Sequence, residues 1–282
     1  MESRTLLDWL VQKYPASKRQ TLKRMVEGGR VRINGQRAAR LKQEVKTRDK
    51  VDVLERAVAT AEPPADLSLT IVYEDDDILV VEKPAGLLTS TVPREQRPTL
   101  LAKVRTYLRR QSTDSVVGLI HRLDRDASGL LIFSKNDPAF RSLKSQFFHH
   151  TVLREYRAVV HGVPRPKEGR LETRLVERAD GTVHSTRQAG KGQVAITRYN
   201  LLKTEGKRSL LGVTLETGRK HQIRVHMAEN GTPVVGDKVY GPKKDAARLM
   251  LAATRLTIVH PRTGHEMTFS CATPGEFPVR TS

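Results

Sequence analysis

The sequence has one cysteine and no long uninterrupted apolar run. Cys271 has no second cysteine with which to form an internal disulfide or a cysteine-based metal site, which argues against redox and zinc-ribbon chemistry and favours a reducing compartment. No run of about 18 uncharged apolar residues indicates a membrane span, and the start, MESRTLLDWL, lacks a basic leader followed by an apolar stretch. These absences predict a cytoplasmic protein without a membrane partner.

Acidic and aromatic side chains are also scarce. The 282 residues include 50 Lys and Arg but only 31 Asp and Glu, which gives a formal net charge of +19 spread along the chain. A field of that sign attracts polyanions, so nucleic acid is the predicted partner, ahead of an anionic membrane surface or a basic protein that is merely soluble. Aromatic residues make up 5% of the chain, so a stacking platform for single strands would be sparse.

The first fifty-odd residues have the pattern of a small separate unit. Two segments carry apolar residues at helical spacing: Leu6, Leu7, Leu10 and Val11 in the first, and Leu22, Met25 and Val26 in the second. RVRING then alternates in polarity and ends in the turn signal Asn34-Gly35, and DKVDVLE alternates again. The pattern predicts two short helices and a hairpin. The basic residues of the second helix either contact a polyanion or simply solvate the helix.

A Ser-led basic second helix that ends in Gly-Gly, followed by V-x-I-N-G, resembles the small RNA-binding domain of the ribosomal protein S-four type over about residues 3–54. In that family the second helix and the hairpin face RNA. The resemblance implies that six basic residues contact phosphates: Lys18, Arg19, Lys23, Arg24, Arg30 and Arg32. We expect an RNA-binding domain over residues 1–54, a linker rich in Ala, Pro and Glu over 55–68, and a larger domain over 69–282.

Strand patterns recur from about Leu69 onward. They are separated by turn residues and by two helical patterns, RPTLLAKVRTYLRRQ and PAFRSLKSQFFHH. Because strands outnumber helices, the predicted fold class is α+β: a small helix-hairpin domain followed by a larger domain with a mixed, mainly antiparallel sheet flanked by helices.

In the stretch GLIHRLDRDASGLLIFSKN, Arg122 and Asp124 lie between two short apolar segments, and a predicted turn separates them from the second segment. One interpretation is a structural ion pair beside an ordinary turn. A second makes Ser128 a hydrolase nucleophile with His121, although Asp126 stands where the G-x-S-x-G elbow has its first glycine. A third interpretation depends on the remainder of the chain.

HRLDRDASGLLIFSK is similar to the catalytic motif of the RluA/RluD-type pseudouridine synthases, H-R-L-D-x-x-(T/A)-S-G-L. DILVVEKPAGLL precedes it, and REYRAVVHG, AITRYNLL and LETGRKHQIRVHMAENGTPVVGDKVYG follow it in the family's order, so the resemblance covers about residues 69–275. It implies an RNA isomerase that breaks the glycosidic bond of uridine, turns the base and rejoins it through carbon 5, without a cofactor or a metal. Ribosomal RNA is the expected substrate rather than transfer RNA, and a monomer is the expected state.

The resemblance also implies roles for three residues. Asp124 matches the family's essential aspartate, which acts as either a nucleophile or a base. Tyr156 matches the tyrosine that packs under the target base, and Arg224 matches the arginine that pairs with the aspartate. These residue types suit the chemistry, because a carboxylate with an ordinary pKa of about 3.9 stays ionised beside a guanidinium even when it is partly buried.

Three further residues are expected to bind the substrate. Arg122 matches a residue that the family places near the displaced nucleotide, and His121 and Ile223 are next to the matched positions in the sequence. The reacting carbon lies inside a base stack, so the nucleotide must be extruded at a cost of about a few kcal/mol. Arg122 could fill the vacated space.

TGRKHQIRVHMAENG is predicted to be a helix that ends at ENG. His221 and His226 invite a metal interpretation, but side chains five residues apart do not share a helix face. Ile223 and Met227 are expected to pack inward, with Arg224 at the edge of the core. We interpret the following GDKVYG as a turn without a chemical role.

The sequence departs from the family pattern in two places. It has Leu251-Ala252-Ala253 where the family commonly has L-H-A, and it has TSTVPRE where many members have a V-x-H-P-like segment. The alternative hypothesis is a non-catalytic RNA-binding or ribosome-assembly protein that retains the fold.

Overall fold

The computed structural model describes residues 3–15, 17, 19–27, 31–38, 40–46, 48–53, 68–91, 98–111, 116–188, 190–242 and 245–277. The chain divides into two compact units, Met1–Thr60 and Ala61–Ser282. Lys18, Arg30 and residues 55–67 of the expected linker lie outside the described residues, as does the side chain of Arg24.

The first unit contains two helices and short strands. Its elements are β1 (Ser3–Thr5), α1 (Leu6–Lys13), α2 (Arg19–Glu27), β2 (Val31–Ile33), β3 (Gln36–Arg37), β4 (Glu44–Lys46) and β5 (Val51–Val53). Strand β1 pairs with β4, and β2 pairs with both β3 and β5. The backbone of Asn34 and Gly35 has φ values of 52° and 81°, as a two-residue hairpin turn requires, so the Asn-Gly signal gave the turn correctly.

The core of the first unit follows the helical spacing of its apolar residues. Leu22, Met25 and Val26 of α2 are buried against Leu6 and related side chains of α1. The side chain of Val11 is 47% exposed, so the apolar face of α1 is narrower than the sequence indicated. Val11 follows the buried Leu10 by one position, which turns its side chain about 100° around the helix and places it outside the buried stripe of Leu6 and Leu10.

The second unit is built around one large sheet. Its elements are β6 (Thr70–Glu74), β7 (Ile78–Lys83), α3 (Leu100–Gln111), β8 (Gly118–Leu119), β9 (Ser128–Ser134), α4 (Asp137–Phe148), β10 (Leu153–His161), β11 (Glu168–Glu177), β12 (Val183–Thr186), β13 (Gln193–Glu205), β14 (Arg208–Leu215), α5 (Gln222–Glu229), β15 (Leu251–Val259) and β16 (Glu266–Ser270). Nine of the sheet's eleven strands follow the order β12-β11-β13-β14-β10-β15-β9-β7-β6, with β16 beside β15 and β8 beside β9. Strands β9 and β15 run parallel, and the other strand pairs in the described sheet are antiparallel. The predicted α+β class with a mixed, mainly antiparallel sheet is confirmed.

Strands β7 and β9 of the sheet are buried on both faces. Along β7, Ile78 and Val80 pack on one side, whereas Leu79 and Val81 pack on the other, because successive strand residues point to opposite faces. Helix α4 covers the first face through Leu143. Helices α3 and α5 cover the second face, where the cavity described below opens.

Helices α3 and α4 beside the sheet are short and amphipathic. Helix α3 buries Leu100, Val104 and Leu108, which are spaced four residues apart on one face. Asn136 caps the N-terminus of helix α4, and its side chain accepts a hydrogen bond from the backbone N–H of Ala139. None of the described helices has both the length and the apolar character needed to cross a bilayer.

Gly129 in β9 allows the parallel pair with β15. Its φ is +107°, and a Cβ atom there would lie 2.1 Å from the carbonyl oxygen of Ala253. Only glycine fits such a position without displacing the backbone. The glycine of DASG therefore lets β9 approach β15 directly after the loop that carries Asp124.

Candidate active site

A cavity of about 1070 Å³ opens in the second unit beside the loop between β8 and β9. Its walls also include the end of α4, the start of β10 and the segment that leads into α5. It is lined by every second-unit residue that the sequence singled out for catalysis or binding: His121, Arg122, Asp124, Tyr156, Ile223 and Arg224. Residues that are up to about 100 positions apart in the chain therefore meet in one space large enough for a nucleotide.

Arg224 links two carboxylates. Its Nε and Nη2 atoms donate to Oδ2 and Oδ1 of Asp237 over 2.7 and 2.8 Å, and its Nη1 donates to Oδ2 of Asp124 over 3.2 Å. Asp237 also accepts the backbone N–H groups of Val239 and Tyr240. The bidentate contact with Asp237 fixes the plane of the guanidinium and leaves Nη1 directed at Asp124.

The two carboxylates differ in their access to solvent. The side chain of Asp237 is fully buried, that of Arg224 is 7% exposed, and that of Asp124 is 19% exposed. Burial raises the pKa of Asp237, but the hydrogen bonds from Arg224 outweigh burial and hold that pKa below its usual range. Burial lowers the pKa of Arg224, but both carboxylates together raise it above its ordinary value. Asp237 is thus the structural partner, and Asp124 is the one that a substrate can reach.

Tyr156 and Ile223 form apolar walls of the cavity. Tyr156 lies on β10 and Ile223 on α5, and both are buried. Burial raises the pKa of the Tyr156 phenol, which is therefore neutral near pH 7.

His121 and Arg122 are adjacent in the chain but have different environments. The ring of His121 stacks on Phe147 with a centroid distance of 4.6 Å, and its Nε2 accepts the backbone N–H of Ile132. Burial lowers the pKa of His121 to about 3, so the ring is neutral and belongs to the cavity wall. Arg122 is exposed at the cavity.

Ser128 does not have the surroundings of a hydrolase nucleophile. Its hydroxyl accepts a hydrogen bond from Nη2 of Arg248 over 2.8 Å. Within the described part of the chain no hydrogen bond joins Ser128 to His121, whose Nε2 is taken by a backbone amide. The hydrolase interpretation of this motif is therefore wrong.

The interpretation of GDKVYG as a turn without a chemical role missed its connection to the site. Asp237 does accept backbone amides of that turn, but it also holds Arg224. Tyr240 lies against the same guanidinium, 5.1 Å from ring centroid to Cζ, and its hydroxyl is 2.8 Å from Nδ1 of His221. The signal available in the sequence was an acidic and an aromatic residue shortly after the helix that carries the arginine.

Lys83 is a second residue that the sequence did not single out. Its side chain is fully buried, and Nζ donates to the carbonyl oxygens of Pro84, Leu87 and Arg125 over 2.7–2.8 Å. Burial lowers the pKa of Lys83 to about 7. Three acceptors match the three N–H bonds of the ammonium form. This side chain ties the end of β7 to the residue directly after Asp124.

The two histidines of the α5 region have separate partners. Both ring nitrogens of His226 lie within 2.9 Å of threonine hydroxyls, and His221 contacts Tyr240. Among the described residues, the group spaced closely enough to hold a metal is Asp75, Asp77 and His260. In that group Asp75 is hydrogen-bonded to His260, and Asp77 is hydrogen-bonded to an arginine.

In the first unit, Arg19 and Lys23 are exposed on α2, and Arg32 is exposed on β2. Lys23 forms an ion pair with Glu27 one turn later, at 3.6 Å between Nζ and Oε1. Both members of that pair are more than half exposed, so it contributes little to stability and leaves the lysine available.

The chain matches the family model described as RNA pseudouridylate synthase over residues 77–229 and the S4 domain over residues 4–51. It is 36% identical to an uncharacterized RNA pseudouridine synthase, YlyB, of Bacillus subtilis (strain 168), across 91% of this chain and 86% of that protein. It is 34% identical to ribosomal large subunit pseudouridine synthase D of Zymomonas mobilis subsp. mobilis, across 77% of this chain and 73% of that protein.

Solved structures agree with these matches. Human RNA Pseudouridylate Synthase Domain Containing 1 superposes with a TM-score of 0.59 at 26% identity, covering 72% of this chain and 84% of that chain. Human RNA Pseudouridylate Synthase Domain Containing 4 has the same fold, with a TM-score of 0.62 at 23% identity over 73% of this chain and 89% of that chain. The matched segment contains both the loop of Asp124 and the helix of Arg224, and every residue that lines the cavity except Leu251 lies within it. The chain therefore belongs to the RNA pseudouridylate synthase family and is an isomerase that acts on uridine in RNA.

Proposed function

We propose that this enzyme converts specific uridines of ribosomal RNA to pseudouridine, with Asp124 as the indispensable carboxylate. The observation that carries the proposal is the geometry around Arg224: a buried guanidinium held by Asp237 presents its remaining edge to an accessible Asp124. Pure RNA binding does not need an oriented carboxylate in the lining of a cavity. We further propose that the enzyme acts in the cytoplasm as a monomer.

The reaction balances within one nucleotide. The bond between N1 of uracil and C1′ of ribose breaks, and a bond between C5 and C1′ forms. C5 loses its proton and N1 gains one, so no electrons are exchanged with another molecule. An ionised carboxylate near C1′ and C5 can serve as a nucleophile towards the sugar or accept the proton from C5. Arg224 donates a hydrogen bond to Asp124 and so fixes the position of its carboxylate for either task.

The remaining residues of the cavity position the base. Tyr156 and Ile223 are placed to hold the flat uracil ring while it turns. A base inside an RNA helix must first be extruded, which costs about a few kcal/mol. We assign Arg122, exposed at the cavity, to the space that the base leaves, and we assign His121 to supporting the cavity wall from behind.

The first unit provides additional RNA affinity. We propose that residues 1–54 form an RNA-binding domain, joined through 55–68 to the catalytic domain of 69–282. The exposed side chains on α2 and β2 are suited to phosphate contacts. The proposed contact set is Arg19, Lys23 and Arg32, together with Lys18, Arg24 and Arg30.

Ribosomal RNA is the proposed target for two reasons. A relative at 34% identity is named as a ribosomal large subunit pseudouridine synthase, and the first unit matches the S4 domain. The test is to map pseudouridines by chemical labelling and reverse transcription in ribosomal and transfer RNA from cells that lack the gene. We expect one or a few sites to vanish from ribosomal RNA and to return with the wild-type gene but not with Asp124→Asn. Loss confined to transfer RNA would contradict the proposed target.

A further inference from the structure

Arg154 is a buried cation without an acidic partner among the described residues. It lies on β10, is 8% exposed, and lines the same cavity as Asp124. Within the part of the chain that the structure describes, its Nε has no hydrogen-bond partner. Its Nη2 donates to the backbone carbonyl oxygens of Leu215 and Glu216, both at 3.4 Å, which is longer than ordinary N–H···O bonds. A guanidinium that is removed from water and not paired destabilises the folded state.

Several basic residues lie near Arg154, so they do not compensate its positive charge. Arg219, Lys144 and His150 line the same cavity. Burial, followed by the charges of Arg154 and Arg219, lowers the pKa of His150. Burial, followed by the charges of Arg154 and Lys144, lowers the pKa of His121. Cations therefore cluster around Arg154 in this part of the cavity, and His121 and His150 are held in the neutral form.

The packing is nonetheless shaped to hold a guanidinium. The ring of Phe147 backs it, with 5.5 Å between the ring centroid and Cζ. Gly218 makes room on another side, because a Cβ atom at that position would lie 2.4 Å from Nη1 of Arg154. The neighbouring residues thus fix the position of the Arg154 guanidinium. Its positive charge has no anionic partner among the described residues, so an anionic ligand would complete the site.

We infer that Arg154 binds a phosphodiester of the RNA backbone next to the target nucleotide, an inference that rests on the proposed function. Arg154 and Tyr156 point to the same face of β10, about 6.6 Å apart along the strand. A nucleotide whose base lies against Tyr156 carries its phosphate within reach of Arg154. Planar guanidinium groups donate two parallel hydrogen bonds to phosphate oxygens, and such a pair of bonds would give the buried charge of Arg154 the anionic partner that it lacks among the described residues.

The test is thermal unfolding of the full chain with uridine, uridine 3′-monophosphate or uridine 5′-monophosphate, at constant ionic strength. For the wild type, we expect at least one monophosphate to raise Tm more than uridine does, because a ligand that binds only the folded state stabilises it. Arg154→Met removes the unpaired charge and keeps most of the volume. It should raise Tm by about 2–4 °C without ligand and abolish the extra effect of the monophosphate.

The matched control is Arg255→Met, which removes a cation from β15 at a side chain that pairs with Glu155 and does not line the cavity. It should leave the monophosphate effect unchanged. If Arg154→Met does not fold, Gly218→Ala provides the second variant, because the added Cβ displaces the guanidinium without removing its charge. The monophosphate effect should then fall with the fold intact.

Three results would overturn the inference. They are an undiminished monophosphate effect in Arg154→Met or Gly218→Ala, a lower Tm of Arg154→Met without ligand, and equal effects of uridine and both monophosphates on the wild type. Failure of the proposed function looks different, since the wild type would then isomerise no RNA while the thermal results still stood. In an active enzyme, Arg154→Met should raise KM for RNA about 10-fold or more with kcat changed less, and it should flatten the log–log salt dependence of RNA binding by about 0.7.

Discussion

Arg224 directs three donor atoms at two carboxylates, and the carboxylate that holds it most firmly is not the one exposed to substrate. Asp237 accepts two short hydrogen bonds and is fully buried, whereas Asp124 accepts one longer bond. Replacing Asp237 should therefore impair catalysis although this residue does not touch the substrate. Its role is to position Arg224, which in turn positions Asp124.

Asp237→Asn should lower kcat about 100-fold, because displacing a catalytic group by about 1 Å can have that effect. Removing one partner of a buried ion pair should also cost about 3–5 kcal/mol of stability. The measurement is kcat and KM for RNA at a temperature where the variant is folded. Asp77→Asn is the control, since it breaks the contact of a largely buried carboxylate with Arg262 at the turn between β6 and β7 and should leave kcat unchanged. A wild-type kcat in Asp237→Asn would contradict the positioning role.

His226 gives a residue-scale prediction for pH. Burial lowers its pKa from the ordinary 6.5 to about 4, so the unfolded chain binds an extra proton between these values. The stability that this histidine contributes is present above pH 6.5 and is lost as pH falls towards 4, with a slope of about 1.4 kcal/mol per pH unit near pH 5. Urea unfolding at pH 4.5–7 should show a smaller slope in His226→Asn. Replacing the exposed His265 should leave the slope unchanged, and an equal slope in wild type and His226→Asn would refute the assignment.

Asp124, Tyr156 and Arg224 could be predicted from short motifs, because each stands in a contiguous run of recognisable residues. Their supporting residues could not be predicted in this way. Lys83 reaches a carbonyl 42 positions away, and Asp237 reaches an arginine 13 positions earlier. The sequence gives the residue types, but hydrogen bonds between residues far apart in the chain depend on the tertiary structure.

At the scale of elements, periodicity predicted helices α1 to α4 and most strands, but it did not predict which strands pair with each other. The apolar spacing in α2 and α3 corresponds to the buried residues of both helices. The parallel pair of β9 and β15, by contrast, joins segments more than a hundred residues apart and has no signature in either segment alone. That pair places the loop of Asp124 beside the centre of the sheet. A substitution of Gly129 tests how much this parallel strand pair contributes to the stability of the fold.

Gly129→Ala should destabilise the second unit by several kcal/mol or prevent folding, because the new Cβ would lie 2.1 Å from a backbone oxygen. Gly206→Ala is the matched control. Gly206 also has positive φ, +57°, but a Cβ there meets nothing within 4 Å, so only the backbone cost of about 1–2 kcal/mol applies. Chemical unfolding of both variants measures the difference. Equal losses in the two variants would show that the close approach to Ala253 is not needed.

For the whole molecule, the net charge of +19 predicts RNA binding that weakens steeply with salt. If Arg19, Lys23 and Arg32 contact phosphates, replacing all three by Gln should flatten the log–log slope by about 2. The binding constant should be measured at several salt concentrations with the full chain. Replacing the exposed Lys203 and Lys207 beside the hairpin between β13 and β14 tests for a general effect of charge and should change the slope by less than 1. An unchanged slope in the triple variant would remove the first unit from the proposed RNA contact.

The central claim is that Asp124 drives uridine isomerisation in RNA. The most direct measurement is tritium release from cellular RNA labelled at carbon 5 of uridine, with the wild type and Asp124→Asn assayed side by side. The substitution keeps the size of the side chain and removes its charge, so RNA binding should persist. We predict release by the wild type and none above background by the variant. Equal release by both proteins, or none by the wild type despite intact RNA binding, would contradict the claim, and the latter result would indicate a binding protein that retains the fold.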